Sequence, residues 1–162
     1  MFATPLVFVV PAMVRTPPAN PHVSPNVSIE KSLDVPPGVQ AFLRKSCYDC
    51  HSAETRWPWY SRLPVLSSLI HADVTKGRKA LNFSEWSTSA GAHPNRAAAT
   101  LTAACAAVQY GIMPKAPYPM MHRDARPSRE DVAMFCGWAQ QESAALRKRN
   151  SQRVDTAQAV TR

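Results

Sequence analysis

A cluster of reactive side chains at residues 47–51 constrains this chain more than any other feature. It reads Cys47-Tyr48-Asp49-Cys50-His51, with two thiols three residues apart and an imidazole directly after the second. This C-x-x-C-H spacing is typical of c-type haem attachment. On one helical turn each thiol reaches one haem vinyl group, and the histidine lies under the ring, where it can ligate the iron. The motif therefore predicts one covalent haem c on Cys47, Cys50 and His51.

Three other uses of the same residues remain open, namely a zinc half-site, a disulfide and a redox dithiol. Zinc usually needs a second Cys/His pair at short spacing, but Cys105 and Cys136 are single and far apart. A thioredoxin-like dithiol is expected near a βαβ pattern, and no strand-rich run lies nearby. The spacing and its context favour haem over all three.

Aromatic and basic residues follow the motif closely. Arg56, Trp57, Trp59 and Tyr60 lie within five positions of one another. Guanidinium, indole N–H and phenol O–H are donors that can hold haem propionates while the rings cover the macrocycle. We therefore expect these four residues to bind the cofactor. The alternative is an ordinary aromatic mini-core under a proline-rich loop.

A second iron ligand is predicted at Met113, which directly precedes Pro114 and follows a helix stop at Tyr110-Gly111. The proline restrains the residue before it, and a thioether opposite histidine raises the reduction potential. His122 is the main rival ligand. Met120, Met121 and an open sixth position are further alternatives at this stage.

The last pair of cysteines and the helical patterns complete an all-α, cytochrome c-like prediction. Helices are expected over residues 38–46, 65–80 and 95–109, and a fourth from an N-cap at Ser128 to about residue 148. Cys105 and Cys136 lie on the last two of these helices. They either form a disulfide joining the two helices or are buried free thiols.

The helix predicted over residues 65–80 carries an apolar stripe and one histidine. The stripe consists of Leu66, Leu69, Ile70 and Val74, with His71 beside it. A partly buried histidine with satisfied nitrogens is expected at this position rather than an iron ligand.

The chain divides into four predicted parts. Residues 1–14 are almost entirely apolar but too short to span a bilayer, and we interpret them as the remnant of a signal or anchor segment. Residues 15–35 form a proline-rich linker, residues 36–149 the haem-binding domain, and residues 150–162 a flexible tail. Because haem c is attached outside the cytoplasm, a periplasmic or exported protein is expected, with possible membrane association through the N-terminus.

Charge indicates the kind of partner. Lys and Arg exceed Asp and Glu by 19 − 11 = 8 among 162 residues. A basic surface suits an acidic redox partner or an anionic membrane. The basic residues are dispersed and no nucleic-acid reader motif is present, so no nucleic acid is expected as a partner.

The chain also resembles the haem-binding-domain proteins, small bacterial c-type cytochrome-like proteins, over roughly residues 36–140. The matching stretches are CYDCHS (47–52), ETRWPWYSR (54–62), Asp73-Val74 with Gly77-Arg78, LNFSEW (81–86), GIMP (111–114), Tyr118, His122 with Ala125, and residues 128–138. The resemblance implies one covalent haem c, a helical cytochrome-like fold and an exported protein. It places the haem on Cys47, Cys50 and His51, and Met113 at the family's Met-Pro position.

The function expected from these features is single-electron transfer, with no catalytic residue and no enzyme activity. One rival is a haem-based redox or gas sensor, or a peroxide-handling enzyme, with an exchangeable sixth ligand. The other is a zinc or disulfide module without haem.

Overall fold

The computed structural model describes residues 15–160, so the signal or anchor segment expected at residues 1–14 lies outside the described residues. This described part is 73% helical and contains no strand, which confirms the all-α prediction. The α-helices of this part are α1 (Ile29–Ser32), α2 (Pro37–Ser46), α3 (Tyr48–His51), α4 (Pro64–Ala80), α5 (Pro94–Gln109), α6 (Pro117–Met121) and α7 (Arg129–Val160). Short 3-10 helices lie at Pro25–Val27, Trp59–Arg62, Phe83–Thr88, Ala90–Ala92 and Arg123–Ala125.

The core is built on the packing of α5 against α7. Leu101, Cys105 and Val108 lie on one face of α5 and are buried, as their spacing predicted. Cys105 forms a disulfide with Cys136 of α7, with the two Cα atoms 5.0 Å apart. The alternative of two free thiols is therefore wrong, and α5 and α7 are covalently joined.

Helix α2 packs across the first turns of α7. The rings of Phe42 and Phe135 lie 5.2 Å apart between centroids, and both side chains are buried. The predicted capping box at the start of α7 is confirmed, because Ser128 and Asp131 exchange hydrogen bonds between side chain and backbone, each 3.0 Å long. Asp131 also pairs with Lys45 of α2 at 2.9 Å, so the cap fixes both helices.

The helix predicted over residues 65–80 is confirmed as α4, but two of the four residues of its apolar stripe are exposed. Leu66 and Leu69 are 40% and 59% exposed, whereas Ser67 and Val74 are buried. At Gly77 the helix backbone touches α3, because a Cβ there would collide with the carbonyl of Cys50. The absence of a side chain at this position lets α4 lie directly against the C-x-x-C-H helix.

Much of the predicted linker, from Asn20 onward, lies on the helical body. Ile29 is fully buried in the core, and Trp138 of α7 donates its indole N–H to the carbonyl of Asp34 at 2.8 Å. Asn20 donates to the carbonyl of Thr55 at 2.9 Å. The proline content of this segment had indicated an extended tether. In the structure, the buried Ile29 and these hydrogen bonds hold it against the helices.

Helix α7 is longer than the sequence indicated. It continues to Val160 rather than ending at about residue 148, so the tail expected from Asn150 is helical as far as Val160. Its last buried side chain is Leu146. Within residues 15–160, no helix has the length and apolar character needed to cross a membrane.

Candidate functional site

The C-x-x-C-H motif begins at the break between α2 and α3, and its last four residues form α3. Cys47 ends α2 and precedes α3, and its backbone carbonyl accepts from the amide of His51 at 2.9 Å. Both thiols are free. Burial raises the pKa of Cys47 to about 12 and that of Cys50 to about 11, so both are protonated at neutral pH. The motif thus presents two protonated thiols on one turn, both largely shielded from solvent.

Neither a disulfide nor a zinc site forms at this motif. Cys47 and Cys50 are not bonded to each other. Across residues 15–160 there is no group of three or more His, Cys, Asp or Glu side chains arranged to hold a metal ion. A structural zinc site needs four such ligands, so the geometry gives no support to the zinc alternative.

The imidazole of His51 is oriented by the backbone of the segment after α4. Its Nδ1 lies 3.1 Å from the carbonyl oxygen of Leu81. Since a carbonyl can only accept, Nδ1 carries the hydrogen and the lone pair is on Nε2. Burial lowers the pKa of His51, although the hydrogen bond to Leu81 opposes this. A neutral imidazole with its hydrogen on Nδ1, bound to a carbonyl, and its lone pair on Nε2 is the form that ligates a metal.

Asp49, between the two cysteines, connects the motif to two other segments. Its side chain is only 8% exposed. It accepts from the backbone N–H of Arg56 at 3.0 Å and from its Nε at 3.3 Å, and from the phenol of Tyr118 at 2.6 Å. Arg56, expected to hold a propionate, is therefore placed on this carboxylate. Asp49 fixes the loop that follows the motif and the loop that carries Met113.

The three aromatic residues predicted to contact haem occupy different environments. The ring of Trp57 lies edge-on to His71 of α4, with centroids 5.1 Å apart. Trp59 is 73% exposed. The phenol oxygen of Tyr60 lies 2.6 Å from Nε2 of His122. The sequence did not indicate that each of these residues has a different neighbour, and their contact with haem stays a prediction.

The segment from Met113 to His122 crosses to α3 and α4. Lys115 pairs with Asp73 of α4 at 2.6 Å, and the Tyr118 hydrogen bond fixes the segment to Asp49. Met113 is half-buried and its amide donates to the carbonyl of Ala107 at 3.0 Å. His122 stacks on Tyr118 with centroids 4.4 Å apart. The predicted ligand Met113 and its rival His122 thus lie on one segment anchored to the motif.

Large apolar side chains are exposed on the segments that adjoin α3. They are Leu63, Val65, Leu66 and Leu69 at the start of α4, and Tyr110, Ile112, Met120 and Met121 on the segment after α5. A soluble domain rarely exposes many such groups together without a ligand or partner to cover them. Free thiols, a metal-ready imidazole and exposed apolar side chains fit a large, flat, apolar group that contains a metal.

Several residues of the site carried no predicted role. Arg78 donates to the carbonyl of Ser52 at 2.7 Å and to the hydroxyl of Thr55 at 2.8 Å, which fixes the chain after His51. His71 was expected to have satisfied nitrogens, but its Nε2 is buried without a hydrogen-bond partner, so that expectation is wrong. The position of Asp49 between the two cysteines could have indicated that this residue has a role in the site. The contact of His71 with Trp57 can be recognised only from the fold.

Helical fold and site together define an all-α protein that binds haem. A family model described as a haem-binding domain matches residues 6–141, which is most of the chain. The chain belongs to this haem-binding domain family, which confirms the predicted resemblance. Searches of curated proteins and of solved structures returned no match.

Proposed function

We propose that the protein carries one covalent haem c and transfers single electrons. In this proposal Cys47 and Cys50 each add their S–H across one haem vinyl group to give a thioether. His51 would hold the iron through Nε2. The observation that carries the proposal is the hydrogen bond from His51 Nδ1 to the Leu81 carbonyl, because it keeps the hydrogen on Nδ1 and the lone pair on Nε2.

The bound haem supplies one-electron redox chemistry at its iron. In this proposal the protein orients the haem and excludes water from it. Gly77 lets α4 approach the motif, and Arg78 holds the chain after it. The exposed leucines of α4 offer an apolar wall for the macrocycle. Tyr118 holds the segment that carries Met113 against the motif, because it donates to Asp49 from a separate part of the chain.

Met113 is the proposed second axial ligand. Its rival His122 has Nε2 bonded to Tyr60 and its ring stacked on Tyr118. Ligation by His122 Nε2 would have to break that bond, whereas no hydrogen bond restrains a thioether. Met113 is half-buried on the segment that Lys115 ties to α4. These contacts favour Met113 and leave His122 a role in fixing the loop.

An exported, periplasmic location and an acidic redox partner complete the proposal. Haem c attachment and the Cys105–Cys136 disulfide both belong to compartments outside the reducing cytosol. A formal charge of +8 favours association with an acidic protein surface. Weak, fast docking of this kind is expected to depend on ionic strength.

The proposal is tested on protein matured together with haem-attachment machinery. We expect the intact mass to exceed the chain mass by one haem, and the colour to survive acid–acetone extraction. The double variant Cys47→Ala/Cys50→Ala should lose both signals. A wild-type protein that folds without covalent haem would overturn the haem c proposal.

The axial ligand and the carrier role are tested by absorption spectroscopy. We expect a low-spin ferric spectrum with a thioether-to-iron charge-transfer band, which Met113→Ala abolishes. Met134→Ala, on α7, is the matched control and should leave the band unchanged. A high-spin wild-type spectrum that shifts with carbon monoxide or peroxide would contradict the electron carrier and favour a sensor or peroxide-handling enzyme.

A further inference from the structure

Two buried polar atoms near the motif have no hydrogen-bond partner among the described residues. They are Nε1 of Trp57 and Nε2 of His71. Buried polar groups in folded proteins are nearly always paired, so each exception calls for an explanation. The buried indole of Trp138 shows the usual outcome, because its Nε1 donates to a carbonyl at 2.8 Å. Trp57 and His71 are also neighbours, with their rings edge-on and 5.1 Å apart.

The chemistry of the indole defines the missing partner. Indole Nε1–H can only donate, so the partner of Trp57 must be an acceptor. His71 can also donate from Nε2 when it holds its hydrogen there. One acceptor group with two oxygens, a carboxylate, can satisfy two neighbouring donors at once.

The position of the pair relates it to the haem site. Trp57 follows Arg56, which Asp49 of the motif holds in place. His71 lies on α4 six residues before Gly77, where this helix touches Cys50. Six residues correspond to about 9 Å along a helix, which is comparable with the width of a macrocycle. A haem attached through its vinyl edge has its two propionates on the edge away from the thioethers.

We propose that Trp57 and His71 form a carboxylate-binding pair that donates two hydrogen bonds to one haem propionate. This inference rests on the proposed haem c and gives His71 a role distinct from iron ligation. It also separates Trp57 from Trp59, whose ring is mostly exposed. A propionate bound in this way would give both buried nitrogen atoms a hydrogen-bond partner, and it would fix the tilt of the macrocycle against α4.

The test uses haem-loaded protein and resonance Raman spectroscopy of the propionate bending band, which reports the hydrogen bonds that the carboxylate accepts. Trp57→Phe and His71→Leu should each shift this band. The double variant should shift it by less than the sum of the single shifts, because both donors act on one group. His71→Gln keeps an N–H donor and should restore much of the wild-type band.

Two control variants test whether a band shift is specific to Trp57 and His71 or follows from any tryptophan or histidine substitution. Trp138→Phe removes an indole N–H that is bonded elsewhere, and His93→Leu alters an exposed histidine. Neither should move the band. The reduction potential should fall in Trp57→Phe and His71→Leu, because an ionised propionate that loses donors favours the ferric iron.

Two results would overturn the inference. One is an unshifted propionate band in both single variants that still carry haem. The other is a change from low spin to high spin in His71→Leu, which would make His71 an iron ligand instead. Absence of covalent haem from the wild-type protein would be seen separately in its mass, and would mean failure of the proposed function itself.

Discussion

The phenol of Tyr118 donates to the Asp49 carboxylate over 2.6 Å, although the two residues are 69 positions apart in the sequence. Asp49 lies between the two thiols of the motif, and Tyr118 lies on the segment that carries Met113. The contact therefore joins α3 to the segment that holds the proposed second ligand. Its acceptor is a largely buried carboxylate.

Tyr118→Phe should destabilise the protein by about 1–3 kcal/mol, because it leaves a buried carboxylate with one donor fewer. Urea unfolding of the haem-loaded protein measures this. Tyr110→Phe is the matched control, since Tyr110 is 80% exposed, and its effect should lie within about 0.5 kcal/mol. Equal midpoints for the two variants would refute a stabilising role for the Tyr118–Asp49 contact.

Gly77→Ala should lower both stability and haem content, because the added Cβ collides with the Cys50 carbonyl and moves α4 away from α3. Gly137→Ala is the matched control, since a Cβ on Gly137 of α7 meets no atom within 4 Å. That variant should gain roughly 0.5–1 kcal/mol from the lower backbone entropy of its unfolded state. Thermal unfolding and haem per chain distinguish the two, and a harmless Gly77→Ala would be the contrary result.

Replacing both disulfide cysteines, as Cys105→Ala/Cys136→Ala, should cost roughly 2–4 kcal/mol, because a cross-link over 31 residues no longer restricts the unfolded chain. Denaturant unfolding measures the loss, and intact mass should still show one haem. Loss of haem at unchanged stability would mean that these cysteines, rather than Cys47 and Cys50, serve attachment.

Stability should depend on Asp131 in a pH-dependent manner. Burial disfavours its charged form, but the Ser128 backbone N–H and Lys45 outweigh burial and lower the pKa below its ordinary value of 3.8. Because the folded pKa is depressed, the stabilisation is fully present above pH 3.8 and is lost as pH falls through the lower folded pKa.

Asp131→Asn should therefore be less stable than wild type at pH 7, and the difference should shrink as the pH falls below 3.8. Urea midpoints across this range measure it. Glu130→Gln is the control, since Glu130 is an exposed neighbour in the same first turn. A difference that stays constant with pH would rule out the charge of Asp131 as the cause.

Patterns of short range were the most informative part of the sequence. The 3.6-residue spacing located α5 and its buried face, and the capping box placed the start of α7. The C-x-x-C-H motif indicated haem binding, which the family match confirms, because its chemistry requires five adjacent residues. Each of these signals depends on residues within a few turns of one another, so they can be recognised without the fold.

Features that depend on distant contacts were not predictable in the same way. Nothing near Tyr118 indicates that it binds Asp49, and nothing near His71 indicates that Nε2 is buried without a partner. The end of α7 was missed for a different reason. Its polar residues after Leu146 suggested fraying, but no glycine or proline lies between Leu146 and Val160, and polarity alone does not terminate a helix.

The Cys105–Cys136 bridge divides the four cysteines of the chain into two pairs with opposite requirements. One pair must be oxidised, and under the proposed function the other must stay as thiols until it reacts with haem. Four cysteines allow three fully paired arrangements, and each of them consumes Cys47 and Cys50. Maturation therefore has to protect one pair from the oxidant that completes the other. The order of disulfide formation and haem attachment becomes a determinant of how much functional protein a cell obtains.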